Sequence, residues 1–333
     1  MNPKASFRPN RVITTHNHQT SRAPRGTSVF SFPVLQLGLL ALLSLMTQPT
    51  PAHAAWIWIV ALFWMGMPHG GLDLHVLTWT HGGPFHPRAW GRFGIYFAIM
   101  VAAAGFFWIA PLCATISFLI LTAVHFGEAD RIFARDCLDP KAFIPRAWGL
   151  FRGALVVSLP CWIDPAGSWE PFALMAGGLT SDGYTSALHV FGILMFSICA
   201  ITACWSTVVQ TVSWRSPATI GFLIETGFVA AWFVLLPPLW AIGGYFLAMH
   251  ATKHMIRLAW LDEQWRGRTR WVQGVLRLHL DALWLSAPAW LMVAALALLV
   301  PAGPVLALAV ASIGFYLTCT LPHHLLVERL PGA

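Results

Sequence analysis

Charge is what this chain has least of. Only 10% of its 333 residues are Asp, Glu, Lys or Arg, against about 25% in a soluble domain. A water-soluble globule could not cover its surface with so few charges, and neither a disordered chain nor a nucleic-acid-binding domain fits this composition. The pI of 9.4 therefore does not mark a nucleic-acid partner. Cysteine is sparse too. The six are Cys113, Cys137, Cys161, Cys199, Cys204 and Cys319, none in a C-x-x-C pair, which speaks against a disulfide framework or a thiolate metal site. They read as small buried hydrophobes. Acids are absent from residues 1–28, where Lys4, Arg8, Arg11, Arg22 and Arg25 make a basic, disordered tail.

Hydrophobic residues make up 57% of the chain, with 18 tryptophans and 22 phenylalanines, and the mean hydropathy is +0.65. The expected class is an all-α, polytopic transmembrane helix bundle in the cell (inner) membrane. A span needs about 20 mostly apolar residues. Ten segments meet this: 29–47, 56–79, 93–110, 112–131, 147–163, 185–212, 217–236, 239–258, 280–300 and 304–327, with proline or glycine at most junctions. The stretch 170–183 is too short and polar to span. Residues 29–47 are an anchor or a signal. Ala52-His53-Ala54-Ala55 has the small-residue spacing of a cleavage site after Ala54, which would leave nine helices, but a retained anchor is the reading favoured. Residues 54–330 then form the transmembrane catalytic bundle.

The charges test this count. With the N-terminal tail cytoplasmic, the cytoplasmic side receives 80–92, 132–146, 213–216, 259–279 and 328–333. The Lys and Arg residues fall in these segments or at the helix ends beside them. The opposite loop 164–184 carries Asp164, Glu170 and Asp182 and no base. This is the positive-inside pattern, so the net charge of +7 reports topology.

An ionisable residue inside an apolar helix is a functional-site hypothesis by default. At about 1.5 Å per residue, His69 and His125 lie about 20 Å from the outer face, His250 about 17 Å and His254 about 23 Å. Four imidazoles from three helices thus share one layer, at the cytoplasmic ends of their helices. His323 comes out about 28 Å deep, and joins them only if its helix starts late, tilts or breaks at Pro322. His250 and His254 are at i and i+4 and share one helix face. Imidazole suits iron, zinc, copper or nickel, and the few carboxylates at this level speak against magnesium or calcium. Asp73, four residues after His69, and Glu128, three after His125, are placed to take the second N–H of those rings. His75, His81, His86, His189 and His279 read as interfacial or loop residues. Glu225 is an internal hydrogen-bond partner or part of a proton or substrate path.

At these motifs the chain resembles the Brp/Blh family of membrane carotene dioxygenases. Pro68-His69-Gly70 with Asp73 comes first, then His125-Phe126-Gly127-Glu128-Ala129-Asp130. His250-x-x-x-His254 follows, and Leu321-Pro322-His323 with Val327-Glu328 closes the series. The resemblance covers about residues 60–330. In the family the H-x-x-x-H segment often has an aromatic before the first His and Arg before the second, where this chain has Met249 and Lys253. The resemblance implies an Fe(2+)-dependent enzyme that splits β-carotene at its central 15,15′ double bond with O2, giving two retinals. It implies His69, His125, His250 and His254 as iron ligands, with His323 and Asp73 supporting and His323 a candidate fifth ligand; Glu128 joins the supporting set by its spacing alone. The expected partners are β-carotene, O2 and the lipid bilayer, with a functional link to a retinal-binding rhodopsin and no nucleic acid.

Three rivals are less well matched. A di-iron hydroxylase or desaturase carries eight or more histidines in paired boxes. A metal or proton transporter would show ionisable residues at several depths and an internal repeat, and none is clear here. A haem carrier would be red.

Overall fold

A computed structural model of the chain describes residues 27–47, 50–81, 87–138, 143–209, 216–261, 271–328 and 330. The basic tail expected over 1–28 lies almost wholly outside these residues. Among the described residues the structure is all-helical, with no strand. The helices are α1 Thr27–Thr47, α2 Pro51–Phe63, α3 Gly66–Gly71, α4 Asp73–His81, α5 Pro87–Ile109, α6 Pro111–Phe133, α7 Arg146–Ile163, α8 Pro165–Met175, α9 Asp182–Val209, α10 Pro217–Leu235, α11 Pro238–Tyr245, α12 Thr252–Leu261, α13 Trp271–Leu285, α14 Ala287–Ala297 and α15 Pro304–Val327. Seven of them, α2, α5, α6, α8, α10, α11 and α15, open on a proline, where its missing N–H leaves no intrahelical bond unmade.

Each of the ten expected segments is mostly helix where it is described, with 210–212 outside the described residues. Among the described residues six helical runs are long and apolar enough to cross a membrane, one of them His53–Leu77 across α2, α3 and α4, and a seventh span forms if α13 and α14, bent by 54° at their junction, are taken together. The other three expected spans are different. The apolar stretch Phe32–Thr47 in α1 is shorter than a full span. Helix α7 and the run from α11 to α12 carry Arg152, Lys253 and Arg257, all buried. Interior helices are screened from lipid by their neighbours, so they hold polar groups that a lipid-facing helix excludes. The short α8 matches the expectation that 170–183 does not span.

The expected helix over 56–79 is corrected into three pieces. Helix α2 stops at Phe63, and Met65 takes a positive φ of 54°, a strained backbone for a residue with a side chain. Gly66 follows, where a Cβ would sit 2.8 Å from the Ala61 Cβ. A second joint at Leu72 separates α3 from α4. The run over 239–258 is also modified. Residues Phe246–Ala251 form a π-helical turn between α11 and α12, a feature that recurs at functional sites.

Helix α7 lies between α6, α9 and α10. Gly127 of α6 meets Gly149 and Gly153 of α7 backbone to backbone. A Cβ on Gly127 would lie 2.7 Å from the Gly149 carbonyl carbon, and one on Gly153 2.7 Å from the Gly127 nitrogen. This close approach sets the position of His125, two residues before Gly127.

Candidate metal centre and its cavity

Five histidines from five elements of the bundle meet at one place. His69 comes from α3, His125 from α6, His250 from the π turn, His254 from α12 and His323 from α15. Each is at most 5% exposed. The ring centre of His69 lies 5.5 Å from His250, 5.3 Å from His254 and 5.3 Å from His323. That of His125 lies 4.9 Å from His250 and 5.0 Å from His323. His254 and His323 are 5.4 Å apart, and His250 and His254 6.3 Å. The structure thus brings together all four expected ligands. It also brings in His323, although α15 runs unbroken through Pro322. The depth count misplaced His323 because it assumed parallel helices starting at one level.

The outer nitrogens of three rings are held. His69 Nδ1 contacts the Gly66 carbonyl at the helix break. His323 Nδ1 lies 2.8 and 2.9 Å from the Asp73 carboxylate oxygens, and the Tyr96 hydroxyl donates to the same carboxylate at 2.8 Å. His125 Nδ1 lies 3.2 Å from Nδ1 of His324. Within the cluster four ring nitrogens are buried without a partner: His125 Nε2, His250 Nδ1, His254 Nε2 and His323 Nε2. One such group costs about 1–3 kcal/mol, so four in one cluster call for something that takes lone pairs. At a metal–nitrogen distance of 2.0–2.1 Å an imidazole centre lies about 3.2 Å from the ion, and two ligands about 100–120° apart have centres about 5–5.5 Å apart. Most of the ring separations match. Among the described residues, no three His, Cys, Asp or Glu donors already close on one point as a formed metal site, so the rings are a gathered set and not a finished coordination shell.

Two supporting residues are corrected. Asp73 holds His323 and not His69: it opens α4, separated from α3 by the turn at Leu72. Glu128 does not hold His125. It takes Arg131 Nε at 2.8 Å and faces Arg146 at 3.9 Å, since the cations of the helix end outcompete a neutral ring. The residue that does face His125 is His324. It stands in the sequence as half of a His doublet, a visible signal with no assigned role. Tyr96, on lipid-facing α5, gave no signal at all.

A second polar cluster adjoins the first. Arg152 Nε is 2.5 Å from Asp130 and its Nη2 2.6 Å from Glu225. Lys253 Nζ is 2.7 Å from Glu225 and 3.3 Å from Asp130, and the Tyr245 hydroxyl donates to Asp130 at 2.8 Å. Two acids and two bases, all buried, make a neutral quartet that ties α6, α7, α10 and α12 together. Glu225 is therefore an internal partner. Arg152 and Lys253 are interior charges matched by acids, so they are not topology signals. Of the histidines expected at interfaces or in loops, His189 is half-buried, with its ring 2.9 Å from the Trp162 carbonyl. His279 is corrected: it is buried, its ring 5.2 Å from that of Trp64. The side chains of His81 and His86 lie outside the described residues.

A cavity of about 410 Å³ runs along the cluster. His69, His125, His250 and His323 are on its wall; the rest is mostly apolar, including Trp58, Phe118, Phe126, Phe172, Phe246 and Tyr316. Phe93 and Phe97 of α5 and Met292 of α14 line it too and are themselves 40%, 50% and 36% exposed, so the cavity reaches the lipid-facing surface of the bundle.

A family model described as beta-carotene 15,15'-dioxygenase matches residues 60–331. The chain is 27% identical over 266 residues to the probable beta-carotene 15,15'-dioxygenase Blh of Halobacterium salinarum, covering 73% of this chain and 74% of that one. No solved structure matches.

Proposed function

We propose, for a chain that belongs to the beta-carotene 15,15'-dioxygenase family, that it cleaves β-carotene at the 15,15′ double bond with O2 to give two molecules of all-trans-retinal. The observation that carries this reading is the meeting of five buried imidazoles, four with an unpartnered nitrogen, on the wall of an apolar cavity. The overall change is balanced without a reductant: one C=C and one O2 become two C=O groups. His69, His125, His250 and His254 would hold one Fe(II), with His323 as a fifth ligand. When bound, the iron supplies the one-electron chemistry that lets O2 react with a hydrocarbon double bond.

The protein's own residues bind, orient and exclude water. Phe93, Phe97 and Met292 would admit a wholly apolar substrate from the bilayer. Trp58, Phe126, Phe246 and Tyr316 would hold its polyene against the imidazole wall by contact and stacking. A pocket this poor in polar groups keeps water from the reacting centre. Asp73 and Tyr96 orient His323, and the Gly66 carbonyl orients His69, fixing which nitrogen each ring turns inward. The enzyme would sit in the inner membrane as a multi-pass protein with its N-terminus cytoplasmic, and its retinal would be available to a rhodopsin.

Expression in cells that accumulate β-carotene tests the reading. Loss of the orange pigment with appearance of retinal is expected, and neither should occur with His250→Ala. Persistent pigment and no retinal, with the protein present and iron supplied, would refute it.

A further inference from the structure

Resting on the metal-site reading above, we infer that His324 and Glu328 are positioning residues, forming a hydrogen-bond relay that fixes which nitrogen of His125 carries the proton. Consecutive residues on a helix point about 100° apart. His323 thus reaches Asp73 while its neighbour His324 reaches His125. The two Nδ1 atoms of His125 and His324 are 3.2 Å apart, so one must donate and the other accept. The arrangement has two solutions. In the first, His125 carries its proton on Nδ1 and donates to His324, leaving its buried, unpartnered Nε2 with a free lone pair for a metal. His324 then carries its own proton on Nε2, which lies 3.4 Å from a Glu328 carboxylate oxygen. In the second, His324 donates from Nδ1. The proton of His125 is forced onto Nε2, where it meets no acceptor, and a bare His324 Nε2 faces a carboxylate.

Glu328 decides between them, since a carboxylate is an acceptor only. It favours the proton on His324 Nε2, and so the lone pair on His125 Nε2. The relay runs along α15 from the cluster toward the surface: the His324 side chain is 10% exposed and that of Glu328 55%. The same helix therefore supplies one ring to the cluster and orients another from outside it. Outer partners of this kind typically change metal affinity about 10–100-fold when lost.

The test is Co(II) binding to the purified full-length protein and its variants, measured by competition with a chelator. His324→Leu removes the acceptor and should weaken Co(II) binding by about 10–100-fold. His324→Asn places an amide oxygen near the position of Nδ1 and should recover most of the affinity. Glu328→Ala, at a half-exposed helix end, should weaken binding by a smaller factor, and Glu328→Gln, whose amide oxygen still accepts, should restore it. In the Co(II) protein the solvent-exchangeable N–H resonance of one coordinated imidazole should be lost in His324→Leu and return in His324→Asn, a change that general loosening of the fold would not produce. If the unaltered protein binds no Co(II), the metal-site reading fails and the relay with it. If the unaltered protein binds tightly, and either His324→Leu or a folded Glu328→Ala binds equally tightly with all N–H resonances kept, the relay alone is wrong.

Discussion

Replacing Arg152 with Met removes one of the two cations in the buried quartet and leaves two carboxylates facing one ammonium. The guanidinium is fully buried and lies within 2.6 Å of both Asp130 and Glu225. Removing one partner of a buried pair costs about 3–5 kcal/mol, mostly because the remaining charge is stranded in low dielectric. Lys253 still bridges both acids, so the lower end applies, about 3 kcal/mol. On the scale of large soluble domains this lowers a thermal midpoint by roughly 6–12 °C. The second variant adds Glu225→Leu to Arg152→Met. It leaves Asp130 and Lys253 as a neutral pair and should regain part of the loss, since residues in one network couple by about 0.5–3 kcal/mol. The assay is thermal unfolding in mild detergent, followed by the fluorescence of the 18 tryptophans. The reasoning is refuted if the single variant melts within about 1 °C of the unaltered protein, or if the double variant is less stable than the single.

Other outcomes follow from the same geometry. His323→Ala should lose bound iron as fully as His69→Ala, His125→Ala or His254→Ala, measured as iron per purified chain; full iron retention would move His323 out of the ligand set. Glu128→Gln should keep its iron, because that carboxylate faces Arg131 and Arg146 rather than His125; iron loss would restore the sequence-based assignment. Gly127→Ala should lower both the thermal midpoint and iron content, since its methyl group meets the α7 backbone; an unchanged midpoint would mean that α6 and α7 separate at no cost. His189→Ala, altering a half-buried ring that is not among the five clustered histidines, should leave iron content unchanged.

The helices were legible in the sequence because lipid imposes long apolar runs, and because proline and glycine mark where such runs end. The histidine cluster was legible for the opposite reason: His69, His125, His250 and His254 stand out where almost nothing else is polar. What hydropathy missed was interior. Arg152, Lys253, Asp130 and Glu225 cancel one another across four helices, and a pairing between residues 130 and 225 leaves no local pattern. The outer partners are not legible because i, i+3 and i, i+4 spacing does not by itself make a contact. A turn at Leu72 lies between His69 and Asp73, and Glu128 faces Arg131 and Arg146. His323 was placed too deep by counting residues along a helix whose starting level and tilt no sequence records.

The central claim is that one chain, through its imidazole cluster, holds iron beside a bound carotene and splits it at the middle. The most direct measurement is made on one purified sample: iron per chain, β-carotene consumed and retinal formed under O2. The account predicts about one iron per chain, two retinals per β-carotene, and loss of both iron and retinal in His69→Ala. Retinal formed at full rate by an iron-free protein, or β-carotene consumed to aldehydes of unequal length, would contradict it.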